Sequence, residues 1–290
     1  MKSVSLSDLS GLKFAQTGSH KGQNGRLLII GGSHLFHAAS IWALEVASRI
    51  VDLVHYSSVP ENNALVKQEF LDGIVVARDD VDAYIEEDDV ILIGPGMTRD
   101  TDTKMLTDRV LQQYPNKQWV IDAGALQMMD LSLIPQNAIL TPHHGEFAQL
   151  WAKYQVSGIT YQDEVLVDQD KVKLFAKEHH CIVLLKGHVD VACSGGACDE
   201  NVCTPGECFQ IEGGNEGMTK GGTGDVLAGL IAALATKNDP MLSTIAGSYI
   251  NKQAGEELYK TVGPFFNASD LAGQIPKTMK KLFIMAHITP

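Results

Sequence analysis

No apolar run in this 290-residue chain approaches the roughly 18 residues a membrane-spanning helix needs, and the opening Met1-Lys2-Ser3-Val4-Ser5-Leu6-Ser7-Asp8 lacks the apolar core of a secretion signal. A cytoplasmic location and no membrane partner are expected. Cations are in short supply: 23 Lys and Arg against 35 Asp and Glu leave a formal charge of −12. That balance argues against a nucleic acid or an anionic membrane as partner, because both are gripped by clustered positive charge. No Pro- or Ser-rich linker divides the chain and no repeat of fixed period recurs, so residues 1–290 are expected to form a single domain. Also missing are the phosphate loop G-x-x-x-x-G-K-[ST] and the dinucleotide fingerprint G-x-G-x-x-G. The five cysteines contain no C-x2-C pair, the common start of a structural zinc site.

What is present is an alternation of short β-branched runs with longer helical stretches, the mark of a mostly parallel sheet covered by helices. The strand expectations are Arg26–Gly31, Val51–Ser57, Val90–Ile93, Trp119–Ile121, Ala138–Leu140 and Cys181–Leu185, apolar throughout as strands buried on both faces must be. Helices are expected over Ala38–Ser48, Thr101–Tyr114, Glu146–Lys153, Asp163–His179, Asp225–Ala235, Pro240–Tyr259 and Asp270–Leu282. The acidic cluster Asp79, Asp80, Asp82, Glu86, Glu87, Asp88 and Asp89 reads as a solvated surface, since no His or Cys joins it in sequence.

The most informative stretch runs from Gly213 to Gly229, with glycines at 213, 214, 217, 221, 222 and 224 ahead of Asp225 and an apolar helix. So many glycines weaken the folded chain unless the backbone takes left-handed angles or approaches a ligand closely. The helix that follows would aim unpaired N–H groups at an anion. Asp225 reads either as a general base for a hydroxyl or as a simple N-cap. Other candidates sit where strands end, the edge at which open α/β sheets bind ligands. Gly94-Pro95-Gly96 is a sharp turn there or an ordinary strand-to-helix turn. Asp122 is a site carboxylate or a buried structural one. In Pro142-His143-His144-Gly145-Glu146, imidazoles meet the same edge, while Glu146 equally fits a helix cap. Lys186 reaches the rim or is solvated.

The string from Asn215 through Gly217-Met218 and Gly221-Gly222-Thr223-Gly224-Asp225 to Val226-Leu227-Ala228-Gly229 resembles the glycine-rich motif of the NAD(P)H-hydrate dehydratase family, within the ribokinase-like superfamily. Further segments agree in chain order: His20-Lys21-Gly22 through Gly25 and on to Gly31-Gly32-Ser33, Gly94-Pro95-Gly96, Asp122-Ala123-Gly124-Ala125-Leu126, Thr141-Pro142-His143-His144-Gly145-Glu146, and Leu185-Lys186-Gly187. The resemblance implies a three-layer α/β/α sandwich with a mostly parallel central sheet. It also implies a nucleotide-dependent lyase that restores the hydrated, inactive form of NADH or NADPH by phosphorylating the hydrate's hydroxyl and eliminating it. ATP or ADP would be the co-substrate, with Mg²⁺ accompanying its phosphates. Asp225 would activate the hydroxyl. Ala39, Gly96 and His143 would hold the hydrate with it. Lys186, Gly187, His188, Val189 and Asp190, with Gly221, Gly222, Thr223 and Gly224, would hold the nucleotide. No protein-built metal site is implied. A homo-oligomer and a separate NAD(P)H-hydrate epimerase as functional partner also follow from the resemblance. A superfamily kinase acting on a hydroxymethyl group of a vitamin precursor, and a nucleotide sensor without catalysis, are the alternatives.

The chain departs from the family pattern at Phe36-His37-Ala38-Ala39 and at Arg49-Ile50-Val51-Asp52-Leu53-Val54, where glycines are usual, and altered substrate approach is expected there. Asp190 stands where Thr is common and would bring negative charge to the nucleotide, with Lys220 available to offset it. Cys193, Cys198, Cys203 and Cys208 recur every five residues, in a region where the resemblance suggests a hairpin. Free buried thiols are the expectation, with metal binding and disulfide formation as alternatives.

Overall fold

Leu27, Leu28, Ile29 and Ile30 are apolar at consecutive positions, so side chains pointing to opposite faces both need cover. The computed structural model, which describes residues 1–156, 167–196, 198–199, 202–203 and 206–286, meets that need with helices on both sides of one sheet. The first half of the chain gives β1 (Lys2–Ser3), β2 (Arg26–Ile30), α1 (His37–Ala47), β3 (Leu53–Ser57), α2 (Pro60–Glu69), β4 (Ile74–Val75), α3 (Val81–Glu87), β5 (Val90–Ile93), α4 (Thr101–Gln113), β6 (Gln118–Ile121) and α5 (Ala123–Met128). The second half gives β7 (Ile139–Leu140), α6 (His144–Val156), α7 (Asp168–Glu178), β8 (Ile182–Leu185), β9 (Asp190–Ser194), β10 (Cys198–Asp199), β11 (Val202–Cys203), β12 (Cys208–Ile211), α8 (Thr223–Ala235), α9 (Pro240–Val262) and α10 (Ala268–Ala286). Every expected strand is found. The helix expected from Asp163 begins, within the described residues, at Asp168; positions 163–166 lie outside them.

Strand order is β1-β12-β9-β8-β7-β6-β5-β2-β3-β4. The strands from β4 to β8 run parallel, while β9 is antiparallel to both β8 and β12. Sequence order reverses between β2 and β5: from β2 the chain winds outward to β4, then returns to β5 on the other side. At such a point the connections leave in opposite directions and open a crevice beyond the strand ends. Leu28, Ile30, Ile91, Ile93, Trp119 and Ile121 pack on one face against Val110, Leu150 and Phe175 of α4, α6 and α7. Leu27, Ile29, Leu92, Val120 and Leu184 pack on the other under Ala43, Leu44, Leu227, Ala228 and Ile231 of α1 and α8. The three layers match the expected sandwich, and α10 adds Leu271, Ile275 and Met279 outside α8.

Two expectations need correction. The acidic cluster is not all solvated: Val81 and Ile85 bury the inner face of α3, and Asp88 is 1% exposed with its carboxylate 2.8 Å from His55 Nδ1. A histidine does join the cluster, brought from β3 by the parallel sheet. Burial still pushes the Asp88 carboxyl up, against the pull of the His55 hydrogen bond. Second, Cys193 and Cys208 are not free thiols. They pair directly across β9 and β12 and form a disulfide. Cys198 and Cys203 are likewise partners in register across β10 and β11. The five-residue spacing is that of two nested antiparallel pairs, which a linear count of strand faces does not reveal. Cys181 remains free and buried, and burial pushes its thiol up.

Candidate active site

The crevice at the β2/β5 reversal is floored by glycines. Gly94, which follows β5, has φ 121°, and a Cβ there would collide with the Asp122 carbonyl. Gly96 has φ 74°; a Cβ would overlap the Phe36 carbonyl and lie 3.0 Å from Ala39 Cβ and 3.2 Å from Gly32 Cα. Ala39 and Gly96, placed together by their resemblance alone, are thus neighbours where α1 begins over the crevice. Only glycine combines left-handed backbone with such close approach.

The glycine-rich segment enters α8 through Gly222, whose φ of 98° turns the chain into the helix. A Cβ on Gly222 would strike the Trp42 ring, and Trp42 is held by an indole N–H to Ser269 Oγ hydrogen bond of 2.9 Å. Thr223 Oγ1 donates to the carbonyls of Met218 (2.7 Å) and Lys220 (3.0 Å), tightening the entry. In α8 every residue is buried except Gly224 and Asp225, which are half-buried. The N-cap at Gly222 makes no side-chain hydrogen bond to the first turn. The helix therefore offers a ligand its first turn and little else, with the partial positive charge of its unpaired N–H groups.

Above that turn stands Lys186, which follows β8. Its Nζ lies 3.2 Å from where a Gly224 Cβ would be and donates to Asp122 Oδ1 at 2.9 Å. Asp122 ends β6, is 2% exposed, and also accepts from Thr141 Oγ1 at 2.8 Å. Glu146, buried in the first turn of α6, accepts from the His143 backbone N–H (2.9 Å) and from Gln127 Nε2 (2.9 Å). It is the helix cap that the sequence allowed, and it also feels Lys186. Burial alone would lower the Lys186 ammonium, but Asp122, Glu146 and Asp225 outweigh it and hold its proton more tightly. Asp225 is moved the other way. Burial, then the charges of Asp122 and Glu146, push its carboxyl up from 3.8 to about 7, with Lys186 pulling against them. A carboxyl poised there can take a proton near neutral pH.

His143 is backbone-paired with Lys186 in a parallel bridge. Its Nδ1 accepts the Gly145 N–H at 3.0 Å, so a neutral ring carries its proton on Nε2; the side chain is 59% exposed. Beyond Lys186 the chain turns from β8 into β9 through Gly187, His188, Val189 and Asp190. His188 and Val189 point outward, while Asp190 is buried. Asp190 Oδ1 accepts the Gly187 N–H (2.8 Å) and Oδ2 the Ser248 hydroxyl (2.7 Å), and Lys252 Nζ lies 3.3 Å from Oδ1. The negative charge expected beside the nucleotide is therefore turned inward and balanced by Lys252. Lys220 is elsewhere, donating to the Pro264 carbonyl and lying over the Phe266 ring.

The Arg49–Val54 departure also resolves. It lies at the N-terminal end of β3, opposite the crevice, where Arg49 donates to the Ala272 carbonyl and Asp52 accepts the N–H groups of Gly22 and Asn24. It does not touch the crevice edge. Lys252 is the charged group that the sequence did not mark for the site.

Comparison with known proteins places the chain in a family. A family model described as NAD(P)H-hydrate dehydratase matches residues 27–277. A bifunctional NAD(P)H-hydrate repair enzyme Nnr of Methanocaldococcus jannaschii is 34% identical over 96% of this chain, which spans 52% of that protein, about half its length. An ADP-dependent (S)-NAD(P)H-hydrate dehydratase of Cenarchaeum symbiosum is 31% identical over 90% of this chain and 91% of its own. The crystal structure of a ribokinase-like superfamily protein from Enterococcus faecalis superposes with a TM-score of 0.78 at 26% identity, covering 97% of this chain and 96% of the other. The chain belongs to the NAD(P)H-hydrate dehydratase family, built on the ribokinase-like fold.

Proposed function

We propose that the chain restores hydrated NADH or NADPH by nucleotide-dependent dehydration, as a carbon–oxygen lyase. The observation that carries this reading is the first turn of α8, which presents only Gly224 and Asp225, with the Lys186 ammonium above it. Asp225, near pH 7 in proton affinity, takes the proton from the hydrate's hydroxyl as that oxygen accepts a phosphoryl group. The nucleotide leaves one phosphate shorter, as ADP from ATP or AMP from ADP; the carbon–oxygen bond of the new phosphate ester then breaks to release phosphate while the adjacent ring carbon gives up a proton to water, and the ring double bond returns. Lys186 and the N–H groups of Gly221 to Gly224 stabilise charge on the transferring group. The outer side of the turn, at Gly187, His188 and Val189, lies against the nucleotide, with Asp190 turned inward beneath it, and Ala39, Gly96 and His143 bound the hydrate.

Asp122, hydrogen-bonded to Lys186, and the nearby charges of Glu146 and Asp225 offer hard oxygen donors, and further cations are called for when phosphates arrive. This donor chemistry fits Mg²⁺, which binds through substrate phosphates and one or two carboxylates rather than a dedicated protein cage. Among the described residues no group of three or more His, Cys, Asp or Glu converges on a metal position, so the ion would enter with the nucleotide and neutralise its phosphates. No helix among the described residues is long and apolar enough to cross a membrane. A cytoplasmic location is proposed with the activity, since reduced nicotinamide cofactors and ATP are intracellular. A homo-oligomer and a separate epimerase as functional partner belong to the same proposal.

The test is incubation of NADH hydrate with ATP or with ADP, following the return of reduced-nicotinamide absorbance. Recovery with either nucleotide is expected, and none with both overturns the reading. The family match disfavours the vitamin-precursor kinase alternative, which shares Asp225 and the helix turn.

A further inference from the structure

A lysine within a long helix ordinarily keeps its ammonium in water. Lys252, on α9, is 5% exposed. Its Nζ donates to the carbonyls of Gly187 (3.1 Å), His188 (3.0 Å) and Gly213 (3.2 Å) and lies 3.3 Å from Asp190 Oδ1. An ammonium has three N–H groups, so four oxygens use all its donors and leave none for a ligand. Asp190 is equally occupied, by Gly187 N–H, by Lys252 and by Ser248, one helical turn before Lys252 on α9.

Those contacts join three separate segments: the turn from β8 to β9, the start of the glycine-rich loop, and α9. Gly213 and Gly214 have φ of 106° and 81°, a backbone with little intrinsic preference for one path. Gly187 and His188 lie in a turn whose outer side chains are exposed. Position in both places is set from beneath, by one cation. A buried ion pair is a poor device for stability, because apolar side chains of like volume do as well or better, whereas it can fix a unique arrangement. We infer that Lys252, with Asp190 as its counter-ion, is a positioning residue that fixes the spacing between the Gly187–Asp190 turn and the glycine-rich loop, and so sets nucleotide affinity without touching the nucleotide. The inference rests on the nucleotide role proposed above for that turn.

The experiment compares wild type with Lys252→Met and with the paired change Asp190→Asn, Lys252→Met. The single variant leaves Asp190 buried and unpaired and is expected to unfold at lower temperature. The pair removes both charges and recovers thermal stability while the three carbonyls stay unbound. For the pair, calorimetric dissociation constants for ATP and ADP should rise by roughly tenfold or more, with the KM for NADH hydrate at saturating nucleotide unchanged. Should the pair fail to fold, Lys252→Gln, with two donors in place of three, is expected to weaken nucleotide binding by about threefold. Wild-type nucleotide affinity in a folded variant, or equal weakening toward nucleotide and hydrate, overturns the inference. Because affinity is read by binding, a wild-type chain that binds ATP but does not dehydrate the hydrate would refute the activity alone.

Discussion

Replacing Asp225 with Asn should make the protein more stable and inactive, and the gain should depend on pH in a defined direction. Burial and the neighbouring carboxylates raise the Asp225 carboxyl from 3.8 to about 7. Between those values the folded chain holds a proton that the unfolded chain has lost. The stability linked to this group is therefore full below pH 3.8 and is lost as pH rises through about 7. At about 1.4 kcal/mol per tenfold in proton affinity, ionising Asp225 in the fold costs at most about 4 kcal/mol once pH exceeds 7. Asparagine keeps the shape without that penalty. Urea unfolding of both proteins should show the variant's advantage growing by up to about 3 kcal/mol between about pH 5 and about pH 8. Asparagine cannot accept the hydroxyl proton, so dehydration should fall by about 10²–10⁴-fold. In wild type, kcat/KM should rise with pH and level off above about 7, as Asp225 becomes a base. A stability difference that stays flat with pH would refute the electrostatic account. Activity within about threefold of wild type would refute the catalytic one.

Lys186→Met should leave Asp122 and its neighbours without their cation, lowering stability by about 3–5 kcal/mol, and calorimetry should show nucleotide binding weakened by more than tenfold. Gly96→Ala places a Cβ on left-handed backbone against Phe36 and Ala39; about 1–3 kcal/mol of stability should be lost, and steady-state kinetics should show a raised KM for the hydrate with nucleotide affinity retained. Cys193→Ser opens the cross-link to Cys208, whose residues are 15 apart in sequence, and should cost about 3 kcal/mol by urea unfolding. A reductant should bring wild type to the same midpoint, and a wild type indifferent to reductant would refute the bond.

The buried strands were legible because consecutive Ile, Val and Leu over four or five residues fit a sheet covered on both faces and little else. Three helices were not. The exposed face of α2 carries Pro60, Glu61, Lys67 and Gln68 while only Asn62 and Val66 are buried, so no apolar stripe marks it. Helix α3 is seven residues long and buries only Val81 and Ile85, too short a pattern beside the acids within and just before it to mark a helix. Helix α5 begins at Ala123 with φ 46°, inside a segment that reads as a turn. For the candidate site, Gly94, Gly96, Gly222 and Asp225 were legible because glycines at sharp turns and an acid at a helix start leave local marks, while Lys186 was marked only by the family resemblance. Lys252 and the inward turn of Asp190 left none, since each depends on a partner about 60 residues away brought close by sheet closure. The disulfide was missed for a related reason: its pairing comes from strand register, which spacing alone does not fix.

The burial of α8 on every side but its first turn bears on motion. A helix that packs α1, α9 and the strands through nearly its whole length has no way to open by itself, so its amide protons beyond the first turn should exchange with solvent only when the entire domain unfolds. Any closure over the ligands must then be made by the segments facing α8, and the reacting end of the molecule serves as the fixed anvil against which they move.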